Sequence, residues 1–341
     1  MKHKVVPKRR KAFIAVMGAT GSGKSSFVNL VTGSNLNVSK SLVSCTQMVE
    51  LGSQLRFGSY EVNLIDTPGF DDLERSEVEI LKIIAKYLQT LHQSKIKLHG
   101  VIFLYRISDI RMSGISRRTL QLFRAICGEK AIQNTMIVTT MWDNVVFKDG
   151  VERERQLSEE PFKPFLLGNA KMHRHDKGLE SAQHIISLML RNKPCPLAIQ
   201  TEMVNDRKPL LETGAGLQLS GEIQKTIHDI SNQLATSEAA EEIKTTSSGR
   251  MEDAYLDDDE DYERQELLKQ LTRYQREMKS LVEEYHAEGG EQQNHQNLRK
   301  LKGDIARILR RWPKRFRKNG RAREATNDET GGIPLLEIAR L

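Results

Sequence analysis

The chain has 341 residues and a mass of 38.8 kDa, enough for one large domain or for one domain with an extension. Its 38% apolar content is low, its longest dense apolar stretch, Val101–Tyr105, is only strand-sized, and its three cysteines (Cys45, Cys127, Cys195) are scattered. A membrane-spanning helix, a secretory signal, a disulfide scaffold, a zinc site, a collagen and a porin are therefore excluded, and a soluble intracellular protein is expected, cytoplasmic unless its basic tracts direct it to the nucleus.

The net charge of +7 is not spread evenly. Residues 1–11 carry six Lys/Arg and residues 307–323 carry nine, with no acid in either tract. Without those 15, the body holds 37 basic against 45 acidic residues, a net of −8. Basic tracts of this kind suit anionic surfaces, whether lipid or nucleic acid; a solubilising end or a nuclear import signal is the alternative.

In chain order, Phe13–Met17 is a short apolar strand that runs into Gly18-Ala19-Thr20-Gly21-Ser22-Gly23-Lys24-Ser25, and Phe27–Val31 follows with helical character. The spacing matches G-x-x-x-x-G-K-[ST] between a strand and a helix, the context in which that pattern is a phosphate-binding loop. A loop that wraps phosphates must bring backbone N–H groups close to them. Gly18, Gly21 and Gly23 remove the obstructing Cβ and permit positive φ. The amides from Gly21 to Ser25 then form an anion nest, at the positive end of the helix that begins near Lys24 and continues through Ser26. Lys24 supplies a point charge to the terminal phosphates and Ser25 a hydroxyl to Mg²⁺.

Ser44-Cys45-Thr46 comes next, with Thr46 as the candidate switch hydroxyl for Mg²⁺; a threonine favoured only for its β-propensity is the alternative. Val49–Phe57 and Tyr60–Ile65 alternate apolar and polar residues around Gly58-Ser59, which predicts a hairpin. Asp66-Thr67-Pro68-Gly69 closes the second of these strands. A carboxylate there, beside a phosphate loop, organises Mg²⁺, and Gly69 offers a backbone N–H to the γ-phosphate and freedom to swing when that phosphate leaves. Phe70 stands where Ras-type proteins carry a water-positioning glutamine, so slow intrinsic hydrolysis is expected.

Glu77–Leu91 has the helical period, Val101–Tyr105 is a buried strand, Arg117–Ile126 is a helix with Ser116 as its expected N-cap, and Thr135–Thr140 is a further strand. Asp143, after Thr140-Met141-Trp142, takes the place of the aspartate that accepts two N–H groups of a guanine. Met141 stands where a lysine is usual and would cover the base face without charge. Residues 148–164 read as an irregular insertion. A strand over Ala170–Arg174 leads to His175, a candidate base contact; Asn169-Ala170-Lys171 resembles the Ser-Ala-Lys loop of small GTPases but lies too far before the helix Glu180–Leu190. Arg106, Arg111 and Arg117 are candidates for arginines acting across a nucleotide-bridged dimer, with surface charge as the alternative.

Beyond Pro196 the pattern turns helical. Ile223, Ile227, Ile230 and Leu234 share one face. Residues 236–266, with eight acids between Glu252 and Glu263, read as a flexible linker. Leu268, Leu271, Gln275, Met278, Val282 and Tyr285, then Leu298, Leu301, Ile305, Ile308 and Trp312, alternate spacings of three and four, as in two short coiled-coil blocks; a single amphipathic helix folding back on the globular part is the alternative.

The expected fold class is α/β: a three-layer P-loop NTPase sandwich with a mostly parallel sheet, followed by a helical and coiled-coil extension. The expected units are a nucleotide-binding domain over 12–200, a helical extension over 201–235, the linker 236–266, a coiled-coil helix over 267–312 and a basic tail over 313–341. Gly18–Ser25, Ser44–Thr46, Asp66–Asp72, Arg106–Asp109 with Arg111–Ser116, Thr140–Asp143 and Arg174–Asp176 together resemble the fungal AIG-like G-domain proteins, distant relatives of the immunity-associated GTPases and septins. The resemblance covers about residues 12–200. It implies GTP or GDP with Mg²⁺ as the bound species and a coiled-coil tail; a second copy of the chain, through the G domain or the coiled coil, is a candidate partner. The competing readings are an ATPase or kinase that shares the phosphate loop, and a coiled-coil protein with a degenerate nucleotide site that binds anionic partners through its tail.

Overall fold

The computed structural model describes residues 9–36, 48–72, 75–247 and 258–287. The first compact unit comprises Met1–Glu222 with Glu277–Glu284. Its sheet is built from β1 (Arg10–Gly18), β2 (Glu50–Leu51), β3 (Leu55–Phe57), β4 (Tyr60–Asp66), β5 (Gly100–Arg106), β6 (Thr135–Thr140) and β7 (Lys171–Arg174). The order is β2-β4-β1-β5-β6-β7, with β3 also paired to β4. β4, β1, β5, β6 and β7 run parallel, while β2 and β3 lie antiparallel to β4. The expected hairpin is present as β3–β4, turning at Gly58.

The helices between these strands are α1 (Lys24–Thr32), α2 (Glu77–Gln93), α3 (Gly114–Cys127), α4 (Glu129–Ile132), α5 (Phe147–Glu159), α6 (Lys163–Leu167), α7 (Gly178–Met189) and α8 (Ala198–Val204). Strand alternation divides the apolar residues between two faces. Ala12, Ile14, Val16, Val62, Leu64, Ile102, Leu104, Met136 and Val138 meet Phe27, Val28 and Val31 of α1 and Ala182, Ile185, Ile186 and Met189 of α7. On the other face Phe103 lies 4.6 Å, ring to ring, from Phe123 of α3, which stacks 5.6 Å from Phe165 of α6. This is the three-layer sandwich that the alternation of strands and helices predicts.

Helix ends follow local chemistry. Ser76 caps α2 in a reciprocal capping box with Glu79, both bonds 3.1 Å. α3 begins three residues earlier than expected: Ser113, not Ser116, is its N-cap, and its hydroxyl accepts the Ser116 N–H at 3.0 Å. Residues 148–164, expected to be an insertion or irregular, instead supply all but the first residue of α5 and the first two residues of α6. α5 buries only Gly150 and Leu157, so its apolar stripe is too thin to read as a helical period.

The second unit comprises Ile223–Arg276 and Tyr285–Leu341. Its described part contains most of α9 (Gly214–Ser247) and of α10 (Asp258–Ala287). Ile223, Ile227, Ile230 and Leu234 are buried along α9, as their spacing predicts, and Leu271, Gln275 and Tyr285 are buried along α10. The expected linker over 236–266 is corrected at both ends, because 236–247 and 258–266 are helical; 248–257, between them, lie outside the described residues. The second coiled-coil block (298–312), the tract 307–323 and all but the last residues of the N-terminal basic tract also lie outside them.

Candidate nucleotide site

Parallel pairing fixes where the site forms. Gly18 stands beside Leu104, Val16 beside Asp66, Arg106 beside Thr140 and Thr139 beside Arg174, so the carboxyl ends of all five parallel strands lie along one edge of the sheet. From β1 the chain passes to β4 on one side and then to β5 on the other. The end of β1 therefore sits at the reversal of strand order, where open α/β sheets bind ligands.

The loop at that end has the conformation its glycines permit. Gly18, Gly21 and Gly23 have φ of 143°, 73° and 93°. A Cβ on Gly18 would lie 2.4 Å from the carbonyl oxygen of Leu104, so no side chain fits there. The loop is tied down from neighbouring strands: the Thr140 hydroxyl donates to the Ser22 carbonyl at 2.9 Å, and the Thr67 hydroxyl donates to the Val16 carbonyl at 2.9 Å. Within the loop the Ser22 N–H donates to the Ala19 carbonyl at 3.2 Å.

Lys24 is 6% exposed, and its ammonium donates to the Ala19 carbonyl at 2.9 Å. Burial pushes its pKa down from 10.5 to about 8; the nearby carboxylates of Asp66, Asp71 and Asp72 oppose that shift, and the guanidinium of Arg106 adds to it. Ser25, on the first turn of α1, donates its hydroxyl to Oδ2 of the buried Asp66 at 2.6 Å. Ser26, beside it, is exposed. The structure thus places Asp66 against the loop through Ser25. A hydroxyl and a carboxylate side by side form a hard-oxygen pair, the donor set that suits Mg²⁺.

The segment after Asp66 closes on the loop. A Cβ on Gly69 would lie 2.1 Å from Oγ1 of Thr20 and 2.6 Å from its N, so only glycine permits this approach. The carboxylate of Asp71 accepts the Thr20 N–H. Phe70 is buried, at 1% exposure. Sequence reasoning missed Asp71, although it lies inside the quoted stretch Asp66–Asp72. Thr46 and its neighbours Ser44 and Cys45 lie outside the described residues.

On the base side, Met141 adopts φ of 60° and opens a single 3₁₀ turn, Trp142–Asn144. Its Cε would lie 3.7 Å from a Cβ on Gly23, which places the thioether against the phosphate loop. Asp143 is exposed on this turn and Trp142 is buried beneath it. Arg174 holds the turn from below: its guanidinium stacks 4.5 Å over the Trp142 ring and forms an ion pair with Glu154 of α5. His175 is half-buried, its Nδ1 2.9 Å from the Ser181 hydroxyl and its ring edge-on to Phe27 at 5.2 Å. Burial lowers its pKa and favours the neutral ring. His175 thereby links α1 to α7, a packing role that its position in the sequence does not reveal.

Among the three candidate arginines, Arg117 pairs with Glu160 at 3.3 Å, with both side chains more than half exposed, and Arg111 is exposed. Arg106 instead faces its own phosphate loop: a Cβ on Gly21 would lie 3.2 Å from Nη1.

Among solved structures, the chain is similar to Toc33 from Arabidopsis thaliana, at 16% identity and a TM-score of 0.43, over 58% of this chain and 86% of that one. It is also similar to the elongation factor SelB from Methanococcus maripaludis, at 12% identity and a TM-score of 0.38, over 55% and 35% of the two chains. Era from Aquifex aeolicus gives 15% identity and a TM-score of 0.37, over 54% and 57%. No curated protein matches the chain. The model of the AIG1 family matches residues 12–155, the span that holds the Gly18–Ser25 loop, Asp66, Gly69, Arg106 and Asp143.

Proposed function

We propose that this chain is a guanine-nucleotide-binding switch protein that holds GTP or GDP with Mg²⁺ in the Gly18–Ser25 loop and hydrolyses GTP slowly. The observation that carries this reading is Lys24, a desolvated cation inside a three-glycine loop with the carboxylate of Asp66 close by. A buried ammonium is costly unless an anion meets it, and a bound polyphosphate is such an anion. The AIG1-family match over 12–155 supports the same reading.

Ser25 and Asp66 would hold Mg²⁺, and Thr46 would join them when the switch closes. The ion, when bound, supplies charge neutralisation to the phosphate oxygens. Gly69 would offer its N–H to the γ-phosphate, and loss of that phosphate would release the segment 69–72. Asp143 would select the base, with Thr140 anchoring the loop and Met141 covering the ring face. His175 would complete that side by fixing α7 against α1. Phe70 cannot orient water, so hydrolysis would depend on a partner or on a second copy of the chain, which Arg111 is exposed enough to reach.

Competition of GTP, GDP and ATP for the purified full chain, against the Lys24→Ala variant, tests the proposal. Guanine nucleotides should displace a labelled GTP analogue from the native chain, and Lys24→Ala should bind none. Preference for ATP would favour a phosphate-loop ATPase, a reading that the Asp66–Gly69 segment and Asp143 count against. Unchanged binding by Lys24→Ala would overturn the site.

A further inference from the structure

The site holds a second cation that the phosphate-loop motif does not include. Arg106 is the last residue of β5, and its parallel pairing with Thr140 of β6 places it on the same sheet edge as Gly18. Its guanidinium is oriented from behind: Nε donates to Oδ2 of Asp109 at 3.2 Å and lies 3.1 Å from Oδ1. The turn that carries Asp109 is closed by its own N–H donating to the Arg106 carbonyl at 3.3 Å. With Nε so engaged, Nη1 lies against Gly21, in the middle of the phosphate loop. The side chain is 35% exposed, so it reaches the rim of the site without being sealed in the core.

Two positive groups on one loop repel, and Arg106 does act on Lys24 in that sense. An anion between them turns the repulsion into a two-point clamp. Arginine suits such a place because its planar fork presents several N–H groups at once, so Nε can serve Asp109 while the Nη groups serve an incoming oxygen.

We infer that Arg106 is a phosphate ligand supplied in cis: it binds the phosphates held by its own chain's Gly18–Ser25 loop, with Asp109 as its positioning residue. This inference rests on the nucleotide reading given above. It also changes the role that the sequence suggests for Arg106, because a residue already seated on its own loop need not come from a second copy. Its Nη1 faces Gly21, in the loop that both nucleotides would occupy, so GDP and GTP should both depend on it.

The test is a titration of the full-length chain with fluorescent GTP and GDP in the presence of Mg²⁺. Arg106→Ala should weaken both nucleotides by roughly ten- to a hundredfold, the usual range for loss of a hydrogen bond to a charged group, and Arg106→Lys should recover part of the loss. Arg155→Ala, which removes an exposed arginine from α5, should change neither affinity. Adding excess Lys24→Ala chain, which carries an intact Arg106 but a damaged loop, should not restore Arg106→Ala. Restoration in the mixture would show an arginine acting between copies and would overturn the assignment in cis. Unchanged affinity in Arg106→Ala, with native binding intact, would overturn this inference alone. Failure of the native chain to bind either nucleotide would overturn both it and the proposed function. Thermal melts of each variant separate loss of fold from loss of a ligand; if Arg106→Ala melts early, Arg106→Gln is read in its place.

Discussion

The carboxylate of Asp71 accepts the backbone N–H of Thr20, joining the segment after Asp66 to the phosphate loop across 51 positions of chain. An amide of the loop is thereby committed to a side-chain carboxylate, and a negative charge sits beside a site built for anions. Asp71→Ala should free that amide and remove the competing charge. Affinity for GTP should rise about three- to tenfold, in line with about 1 kcal/mol for one such interaction. Calorimetric titration reads this directly, and weaker binding would give Asp71 a supporting role instead.

Gly69 and Thr20 touch so closely that any side chain at 69 must displace one of them. Gly69→Ala should cost about 1–3 kcal/mol, as overpacking does, and should separate the segment 69–72 from the loop. Gly114→Ala is the control, since it sits at the start of α3 with nothing within 4 Å of the added methyl. That variant should be neutral or slightly stabilising. Urea denaturation of the two variants should rank them in this order; equal stability would mean that the close approach is not maintained in solution.

Burial of Lys24 makes the stability of the fold depend on pH. Its folded pKa is about 8 against 10.5 unfolded, so between those values the unfolded chain binds more protons. Stability of the nucleotide-free protein therefore rises with pH through that window as far as this group is concerned, and the penalty for burying the charge is fully present below pH 8. A shift of this size corresponds to about 3 kcal/mol. Lys24→Met should be more stable than the native chain at pH 7 by up to that amount, with the gap closing as pH approaches 10. A gap that does not vary with pH would mean that the lysine is solvated.

Arg174 holds the base-side turn through Trp142 and Glu154. Arg174→Ala should cost about 1–2 kcal/mol of stability. It should also loosen Met141–Asp143, lowering discrimination between GTP and ATP more than affinity for a triphosphate as such. A competition series with both nucleotides separates the two effects, and loss of stability with unchanged selectivity would confine Arg174 to a packing role.

Gly18–Ser25 and Asp66–Gly69 are legible in the sequence because the motifs are defined by particular residues at fixed spacing, and the structure brings the two segments together through Ser25–Asp66 and Thr20–Gly69. The parallel sheet is legible for a similar reason: Val101–Tyr105 is apolar throughout and Thr135–Thr140 is β-branched or apolar at every position, as suits strands covered on both faces. α5 is not, because it lies on the surface and packs through Gly150, where a Cβ would come within 2.8 Å of the Trp142 ring. A helix held by a glycine contact leaves no apolar period to read. The helical pieces 236–247 and 258–266 are hard to read for a related reason, since polar and charged helical residues without an apolar period resemble a linker in composition. Arg106 was recognisable as part of a motif, but the direction of its side chain depends on strand register, which no local pattern carries. His175 was recognisable too, but its bond to Ser181 appears only once α7 is in place.

The two threonine hydroxyls that anchor the phosphate loop, from Thr140 to Ser22 and from Thr67 to Val16, belong to segments far away in the chain. The conformation of the loop is therefore held by the sheet's own hydrogen bonds. Under the function proposed above, capture would require no ordering of this loop, and distinctions among nucleotides would be expressed in how long each one stays.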